Sequence, residues 1–360
     1  MNHHFLIFLL IIFCQNLFAQ QNDTWTSFWN KDSTLMGFVD KNEVVKIKPK
    51  FIGMNLASKF DDIIAVTEDV NGKWSSYYLT KSGKTAGRDS LFYFDNNCDC
   101  ESEGLIRFRD HKTDKTGMFN KNGDIVIPAE YNDMTRVRNG MVIALKGAEK
   151  KYMDYGEHFS WVGGEEYLID TTNKVLIDNF RLDNNQNFFS LKISSNPDSD
   201  TLRQNFKGTN GQYYSFIDYE KEFRVWLKTS LLENPTKDRL RLMTFKTIVF
   251  WKEPEGWVKE DKEAFINRNF DLIKSKLVEL SSLNCDYNIF GNGLNPYIFN
   301  TEEYTRYFNN CGEPKEWIYP VKDIVINHSK KKKLSKQDHL EFLRTVDGYK
   351  LISITIQNIN

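Results

Sequence analysis

Alternating apolar and polar residues in the first half of the chain predict short β-strands joined by tight turns. The clearest example runs over residues 115–120, turns at Asn122-Gly123 and continues as a strand over residues 124–127. Asn-Gly is a strong hairpin signal because both residues tolerate positive φ. Pro128 is expected to end the second strand, since proline has no N–H to donate to a ladder.

The same order of strand, turn, strand and loop recurs along residues 20–215. Each opening strand ends on a polar residue, and these residues lie 40, 40 and 50 positions apart: Asp40, Thr80, Asn120 and Asp170. A period in this range is typical of units that stack on a shared core, because one hairpin cannot bury its apolar face alone. Ten positions recur with these units and are expected to have structural roles: Gly37, Asp40, Pro49, Gly83, Gly117, Asn120, Gly123, Pro128, Tyr131 and Asp170.

The recurring residues resemble the WG β-repeat family over roughly the N-terminal half of the chain. The resemblance rests on a Gly-aromatic-aliphatic-Asp-Lys phrase, on an aliphatic strand ending in Ile-Pro, and on an aromatic residue three positions after the proline. The best match runs from Thr116 to Ala144. The tryptophan that gives the family its name is absent, since Met36 precedes Gly37 and Thr116 precedes Gly117. The resemblance implies an extended or curved array of β-hairpins and no catalytic residue.

The second half of the chain changes to helical spacing. Apolar residues share one side of a predicted helix over 260–280, opposite lysine and glutamate: Phe265, Ile266, Phe270, Ile273, Leu277 and Leu280. Beyond it, a strand over 323–327 and a hairpin turning at Asp347-Gly348 predict an antiparallel sheet. The sequence therefore predicts a mainly β repeat domain over 20–215. It also predicts an α+β domain over 216–360, with helices packed on a small antiparallel sheet.

The N-terminus has the pattern of a secretory signal peptide. An apolar run over residues 5–13 is too short to span a bilayer, and a polar break and the small residue Ala19 follow it. Residues 1–19 are therefore expected to be removed, and the product to be exported to a periplasm or the cell exterior. No later stretch is apolar enough to predict a membrane span. A net charge of −1 gives no case for nucleic acid as a partner.

Four cysteines remain after the predicted cleavage: Cys98, Cys100, Cys285 and Cys311. An oxidising compartment permits disulfides, and four cysteines allow three pairings. A bridge between Cys98 and Cys100 would be strained, because only one residue separates them. We favour a disulfide between Cys285 and Cys311 that closes a loop inside the C-terminal domain, and the other pairings stay open.

No group of residues has the spacing of a known catalytic, cofactor or metal site. The histidines share no short-range ligand spacing, and the Gly-x-Ser-x-Gly and phosphate-loop motifs are absent. One set of residues is a candidate for a hydrolytic or small-ligand pocket, since acids beside aromatic rings can act on sugars. The set is Trp251, Glu253, Trp257 and His328.

These observations predict an exported, non-enzymatic protein whose repeats present a recognition surface rich in aromatic residues. The expected partner is a protein, a peptide or an envelope glycan, and no cofactor or metal is expected. Two alternatives stay open. One is a hydrolytic enzyme or small-ligand-binding protein that uses a C-terminal α+β pocket, and the other is a purely structural envelope component. A cleft with clustered polar groups of perturbed pKa would favour the enzyme.

Overall fold

The computed structural model describes residues 23–53, 56–153, 156, 158–330, 333–356 and 359, without the side chains of 329–330 and 333–335. The predicted signal peptide, residues 1–19, lies outside this part of the chain. Strands dominate, in agreement with the expected β-rich fold, and the helices lie between Tyr219 and Tyr307. None of the described helices combines the length and apolar character needed to cross a bilayer. The division into two domains at residue 215 stays a prediction.

The elements follow one another along the chain with these bounds. The strands are β1 (Trp25–Trp29), β2 (Leu35–Val39), β3 (Val45–Ile52), β4 (Lys59–Phe60), β5 (Ile63–Val70), β6 (Lys73–Thr80), β7 (Thr85–Ala86), β8 (Tyr93–Phe94), β9 (Asn97–Cys98), β10 (Leu105–Asp110), β11 (Lys115–Asn120), β12 (Ile125–Tyr131), β13 (Asp133–Met134), β14 (Met141–Met153), β15 (His158–Asp170), β16 (Val175–Ile177), β17 (Gln186–Ser194), β18 (Arg203–Lys207), β19 (Tyr213–Asp218), β20 (Thr244–Lys252), β21 (Gly256–Asp261), β22 (Tyr287–Asn292), β23 (Val321–Lys330), β24 (Lys333–Thr345) and β25 (Gly348–Thr355). The helices are α1 (Tyr219–Leu227), a π-helical turn (Lys228–Leu232), α2 (Lys237–Met243), α3 (Lys262–Leu280) and a 3-10 helix (Glu302–Tyr307).

Antiparallel hairpins join neighbouring units of the repeat region, residues 25–218. The closing strand of one unit pairs with the opening strand of the next in β5–β6, β10–β11 and β14–β15. Successive side chains of a strand point to opposite faces, and here both faces are apolar. In β5, Ile63 and Ala65 belong to one apolar cluster, while Ile64 and Val66 belong to another. This hairpin is therefore buried on both sides.

Four apolar clusters fill the spaces between consecutive hairpins. Tyr77 projects into the first cluster and Tyr78 into the second, from adjacent positions of β6. Phe119 and Met118 of β11 likewise belong to the second and third clusters. The fourth cluster, around Phe216, ends the series at β19. Because each hairpin contributes to two clusters, the stacked units share a continuous core, as the period predicts.

One hydrogen-bond arrangement closes the turn of the third unit. Asn120 Oδ1 accepts the backbone N–H groups of Asn122 (2.9 Å) and Asp124 (3.1 Å). The backbone of Asn120 accepts from Gly123 N–H and donates to the carbonyl of Asp124. Gly123 has a φ of +69°, which glycine adopts without steric cost.

The other units repeat this turn with equivalent residues. Asp40 and Asp170 each accept two backbone N–H groups through one carboxylate oxygen, and the hydroxyl of Thr80 accepts the N–H of Lys84. The fourth residue of each of these turns has positive φ: Glu43, Gly83 and Asn173. The recurring polar residue is therefore an acceptor that fixes the turn.

Glycine and proline lie against each other at a β-bulge in two units. The register of β11 against β12 shifts around Gly117, where a Cβ atom would lie 2.6 Å from the carbonyl oxygen of Ile127. Gly37 approaches the backbone at Pro49 in the same way. The prediction that Pro128 ends its strand is wrong, since β12 continues through it, and β3 likewise continues through Pro49. A bulge leaves one residue unpaired, so the missing N–H is tolerated there.

A six-stranded sheet follows the helices α1 and α2, with the order β21-β20-β25-β24-β23-β22. Helix α3 packs on one face of this sheet through its predicted apolar stripe, and Phe265 and Ile273 are fully buried in a cluster with Phe250. The helix begins after Asp261, whose side chain accepts the N–H of Glu263. A hydrophobic cluster that includes the 3-10 helix covers part of the other face.

The disulfide joins Cys100 to Cys311, with Cα atoms 6.0 Å apart, and Cys285 is a free cysteine. The predicted bridge between Cys285 and Cys311 is therefore wrong. A bridge between Cys285 and Cys311 would lie within one predicted domain. The observed bridge spans 211 positions, because the fold brings distant segments together.

Residues 309–317, here called the bridging segment, lie against the repeat region. The carbonyl of Asn310 accepts the N–H of Lys59 (3.2 Å), and its side chain donates to Asp61 (2.7 Å). Further along, the carbonyl of Trp317 accepts the hydroxyl of Tyr219 (3.0 Å). One segment of the second half thus contacts the first repeat unit and the first residue of α1, directly after the repeat region.

Candidate functional site

A groove of about 1110 Å³ opens between the repeat region and the bridging segment. Side chains of several chemical types line it: Phe94, Arg138, Trp161, Glu165, Leu182 and Trp317. Its walls come from residues within 92–107, 133–145, 161–166, 179–182 and 313–317. The groove therefore depends on the stacking of at least three repeat units and on the position of the bridging segment.

A buried charge cluster supports the groove around Asp99. One carboxylate oxygen accepts the backbone N–H (2.9 Å) and Nε (3.0 Å) of Arg107. The other accepts Nη2 of Arg107 (2.6 Å) and Nε of Arg136 (2.8 Å). Burial raises the pKa of Asp99, but the two guanidinium groups outweigh it and hold that pKa at about 2. An ionised carboxylate thus fixes arginines from two different units.

Arg136 extends this cluster to the bridging segment. Both of its terminal nitrogens donate to the carboxylate of Glu313, with Nη2 at 3.2 Å. Asn309 holds the same carboxylate through its side-chain amide at 2.8 Å. Together with the Cys100–Cys311 disulfide, these bonds fix the bridging segment on the repeats. These bonds hold one wall of the groove against the repeat units.

Arg138 lies beside the cluster without belonging to it. Its Nε is buried, and its guanidinium has no hydrogen bond or ion pair within the described part of the chain. The guanidinium carbon lies 5.6 Å from the centre of the Trp317 ring. Burial lowers the pKa of Arg138, and the nearby Glu316 opposes that shift. The groove thus contains a half-buried cation whose charge is not matched by a contacting anion.

Other walls of the groove carry carboxylates and exposed rings. Asp133, Glu165 and Glu166 contribute to the lining, and Glu166 accepts the N–H of Leu182 at 2.9 Å. Phe94 is 75% exposed, which is unusual for a large apolar side chain. The arrangement offers a cation, several anions and apolar surface to one bound molecule.

None of the ten repeat positions predicted from the sequence lines the groove, and all ten belong to the described residues. They lie in the turns and bulges of the hairpins, and Tyr131 links two units through its hydroxyl, which donates to Asn173 at 2.8 Å. These positions shape the hairpins whose loops line the groove. Their expected structural role stays a prediction.

Sequence reasoning missed the charge cluster. In the sequence Asp99 stands between two cysteines, and the arginines that bind it stand in other segments, so no spacing joins them. One signal was available, because Arg107 interrupts the apolar residues of the stretch 104–108. A charge at such a position is retained only when a partner satisfies it.

The structure separates the residues of the hydrolytic candidate. Trp251 donates to Glu253 at 2.8 Å, and the Trp257 ring lies edge-on at 5.4 Å in the β20–β21 hairpin. His328 lies on β23, where its Nε2 is 2.7 Å from Asp338. These four predicted residues do not share one contact network.

A different polar cluster occupies the sheet face opposite α3. Asp323, Glu341 and Ser353 are cross-strand neighbours, and His339 Nδ1 lies 3.1 Å from Asp323 Oδ2. Burial, with repulsion from Asp323, raises the pKa of Glu341, and the hydrogen bond to Asp323 raises that of His339. Across the described residues, no three His, Cys, Asp or Glu side chains are placed to hold a metal ion.

The chain matches a known family model over part of its length. The model of the WG containing repeat matches residues 117–152. This stretch includes the Asn120 turn, the Gly117 bulge and most of β14. The chain is therefore similar to WG repeats over the third unit, and a wider extent stays a prediction. None of the curated proteins matches the chain.

Proposed function

We propose that the chain is an exported, non-enzymatic recognition protein that binds a peptide or a protein segment in the groove. The groove itself is the observation that carries this proposal. Its volume of about 1110 Å³ exceeds the usual range of small-molecule sites, roughly 300–1,000 Å³. An extended peptide of several residues would use the length and the mixed chemistry of such a groove.

The charges favour a peptide over a neutral glycan. A peptide supplies N–H donors and ammonium groups for Asp133, Glu165 and Glu166, and carboxylates for Arg138. A neutral glycan would desolvate Arg138 without supplying an anion, which costs free energy. The exposed ring of Phe94 and the half-buried ring of Trp161 can pack on the side chains of a bound peptide.

The rigid setting of the groove supports a binding role. The disulfide and the Asp99 cluster hold its walls, so a ligand need not order them on binding. A disulfide is also compatible with export, since such bonds persist in oxidising compartments. The localisation follows from the N-terminal sequence pattern and is part of the proposal.

The sheet-face cluster favours one alternative, a hydrolytic or small-ligand site in the second half of the chain. Glu341, whose pKa is raised by burial, lies next to the carboxylate of Asp323, the imidazole of His339 and the hydroxyl of Ser353. Titratable groups with shifted pKa values cluster at functional sites. The groove is the stronger candidate because it has the volume to hold a ligand.

Capture from an envelope extract separates these functions. The chain from Gln20 onward is immobilised and offered protease-digested envelope protein beside a glycan fraction, and both eluates are read by mass spectrometry. We expect saturable capture of peptides, lost in the double variant Phe94→Ala/Trp161→Ala. The control Trp251→Ala/Trp257→Ala removes two exposed rings outside the groove and should retain capture. Capture of glycans alone, or loss only in the control, would refute the proposal.

A further inference from the structure

Arg138 differs from the two arginines next to it. Arg107 and Arg136 have their guanidinium groups occupied by Asp99, and Arg136 also binds Glu313. The Arg138 side chain is half-buried and lines the groove, and among the residues described no group forms a hydrogen bond or ion pair with its guanidinium. Partial burial of an unpaired charge lowers the stability of the protein. A ligand that supplied the missing anion would recover that loss.

We propose that Arg138 is an anion subsite of the groove and takes one carboxylate of a bound peptide. This inference rests on the proposed function of the groove. A guanidinium binds a carboxylate through two parallel N–H donors along one edge. The Trp317 ring lies 5.6 Å from the guanidinium carbon, within the range of a cation–π contact, and limits the orientations of Arg138. The subsite is thereby oriented before the ligand binds.

The surrounding charges select a carboxylate over a phosphate. Within the described part of the chain, Arg138 is the guanidinium beside Arg107 and Arg136 that no anion contacts, so it supplies one positive charge at this wall. Glu316 acts on Arg138 from nearby, and Glu313 belongs to the neighbouring ion pair. These two carboxylates would repel a doubly charged phosphate more strongly than a singly charged carboxylate. A group with a single negative charge therefore suits the charges around Arg138.

The remaining lining fits the rest of a peptide. Carboxylates of Asp133, Glu165 and Glu166 can accept N–H groups or an ammonium, and Leu182 is an exposed apolar surface. Two peptide groups can supply the anion at Arg138, the C-terminal carboxylate and the side chain of Asp or Glu. Both present the same chemistry to a guanidinium, so the experiment must distinguish them.

Three synthetic hexapeptide libraries test the subsite on the disulfide-bonded chain from Gln20. The first has free C-termini and omits Asp and Glu, the second has C-terminal amides and includes Asp and Glu, and the third has C-terminal amides and omits both residues. We expect the wild type to enrich the first or the second library at least tenfold over the third, and Arg138→Gln to abolish this preference. The enriched library identifies the source of the carboxylate.

Two variants control for charge and position. Arg181→Gln removes an exposed arginine that also lines the groove, and it should keep the preference. Arg138→Lys keeps the charge but not the planar pair of donors, so it should retain a reduced preference. Arg138→Gln should melt no lower than the wild type, because it removes a charge without a partner. A lower melting temperature would reveal a structural role and overturn the assignment.

The outcomes separate this inference from the function on which it rests. The wild type could enrich all three libraries equally and lose this enrichment in Phe94→Ala/Trp161→Ala. That result would uphold peptide binding in the groove and refute the carboxylate subsite. A preference that persists in Arg138→Gln would refute the subsite alone. Failure of the wild type to enrich any library would refute both.

Discussion

The burial of Asp99 shows how single residues determine the geometry of this protein. Its carboxylate has no exposed surface and accepts bonds from two guanidinium groups of different units. Such a cluster adds little net stability when complete, but removal of one member leaves the others charged and unpaired. Asp99 therefore specifies the arrangement of Arg107 and Arg136 more than it strengthens the core.

Asp99→Asn should lower the free energy of unfolding by about 3–5 kcal/mol, because Arg107 loses its anion and Arg136 keeps only Glu313. Denaturant titration of the variant and the wild type measures this difference. Asp114→Asn is the matched control, since Asp114 pairs with Arg109 and Lys150 but is 47% exposed. That control should change stability by about 1 kcal/mol or less. Equal losses in the two variants would contradict the central role of Asp99.

The stability difference between wild type and Asp99→Asn should depend on pH. Folding lowers the pKa of Asp99 from 3.8 to about 2. A carboxyl group with a depressed pKa stabilises the folded state above its unfolded pKa, and this contribution is lost as the pH falls toward the folded value. The shift corresponds to about 2 kcal/mol, lost between about pH 4 and pH 2. A difference in the free energy of unfolding that stays constant over this pH range would contradict the ionised state of Asp99.

At the scale of elements, turns and helices that depend on nearby residues could be predicted from the sequence. Features that depend on which strands pair could not. The turn residues Asp40, Asn120 and Asp170 could be found from sequence because each bonds to groups within four positions. The continuation of β12 through Pro128 could not be found from the sequence, since it depends on the bulge opposite Gly117 in another strand. Helix α3 was predicted from its own apolar period, which is also a local property.

Asn120→Ala tests the turn assignment. The variant removes the acceptor of two backbone N–H groups and should lower the free energy of unfolding by about 1–2 kcal/mol. Asn122→Ala, two positions away in the same turn, keeps that acceptor and should have a smaller effect. Thermal and denaturant unfolding of both variants give the comparison. An equal effect of the two would show that the Asn120 side chain does not fix the turn.

At the scale of the whole molecule, the bridging segment creates the candidate site. Its disulfide and its bonds to Asp61 and Arg136 join parts of the chain that are far apart in sequence. These contacts could not be predicted from the sequence, because no local pattern indicates which repeat loops meet residues 309–317. The β-rich composition and the repeat period predicted the units, and the groove follows from their stacking.

Cys100→Ser should loosen the bridging segment. The disulfide joins residues 211 positions apart, and removing a cross-link over so long a loop can lower the free energy of unfolding by up to about 5 kcal/mol. Hydrogen exchange should become faster in residues 309–317 and in 97–101. Cys285→Ser removes a free cysteine and should leave both segments unchanged. Faster exchange in the Cys285 variant alone would restore the pairing predicted from sequence.

Site-specific photo-cross-linking of the protein in the cells that produce it tests peptide recognition in the groove most directly. A photoreactive side chain replaces Leu182 in the groove or, as a control, Val278 on the exposed side of α3. We predict peptide or protein adducts from position 182, and no adducts of the same peptides or proteins from position 278. Adducts of the same partner from position 278, or glycan adducts alone from position 182, would contradict peptide recognition in the groove.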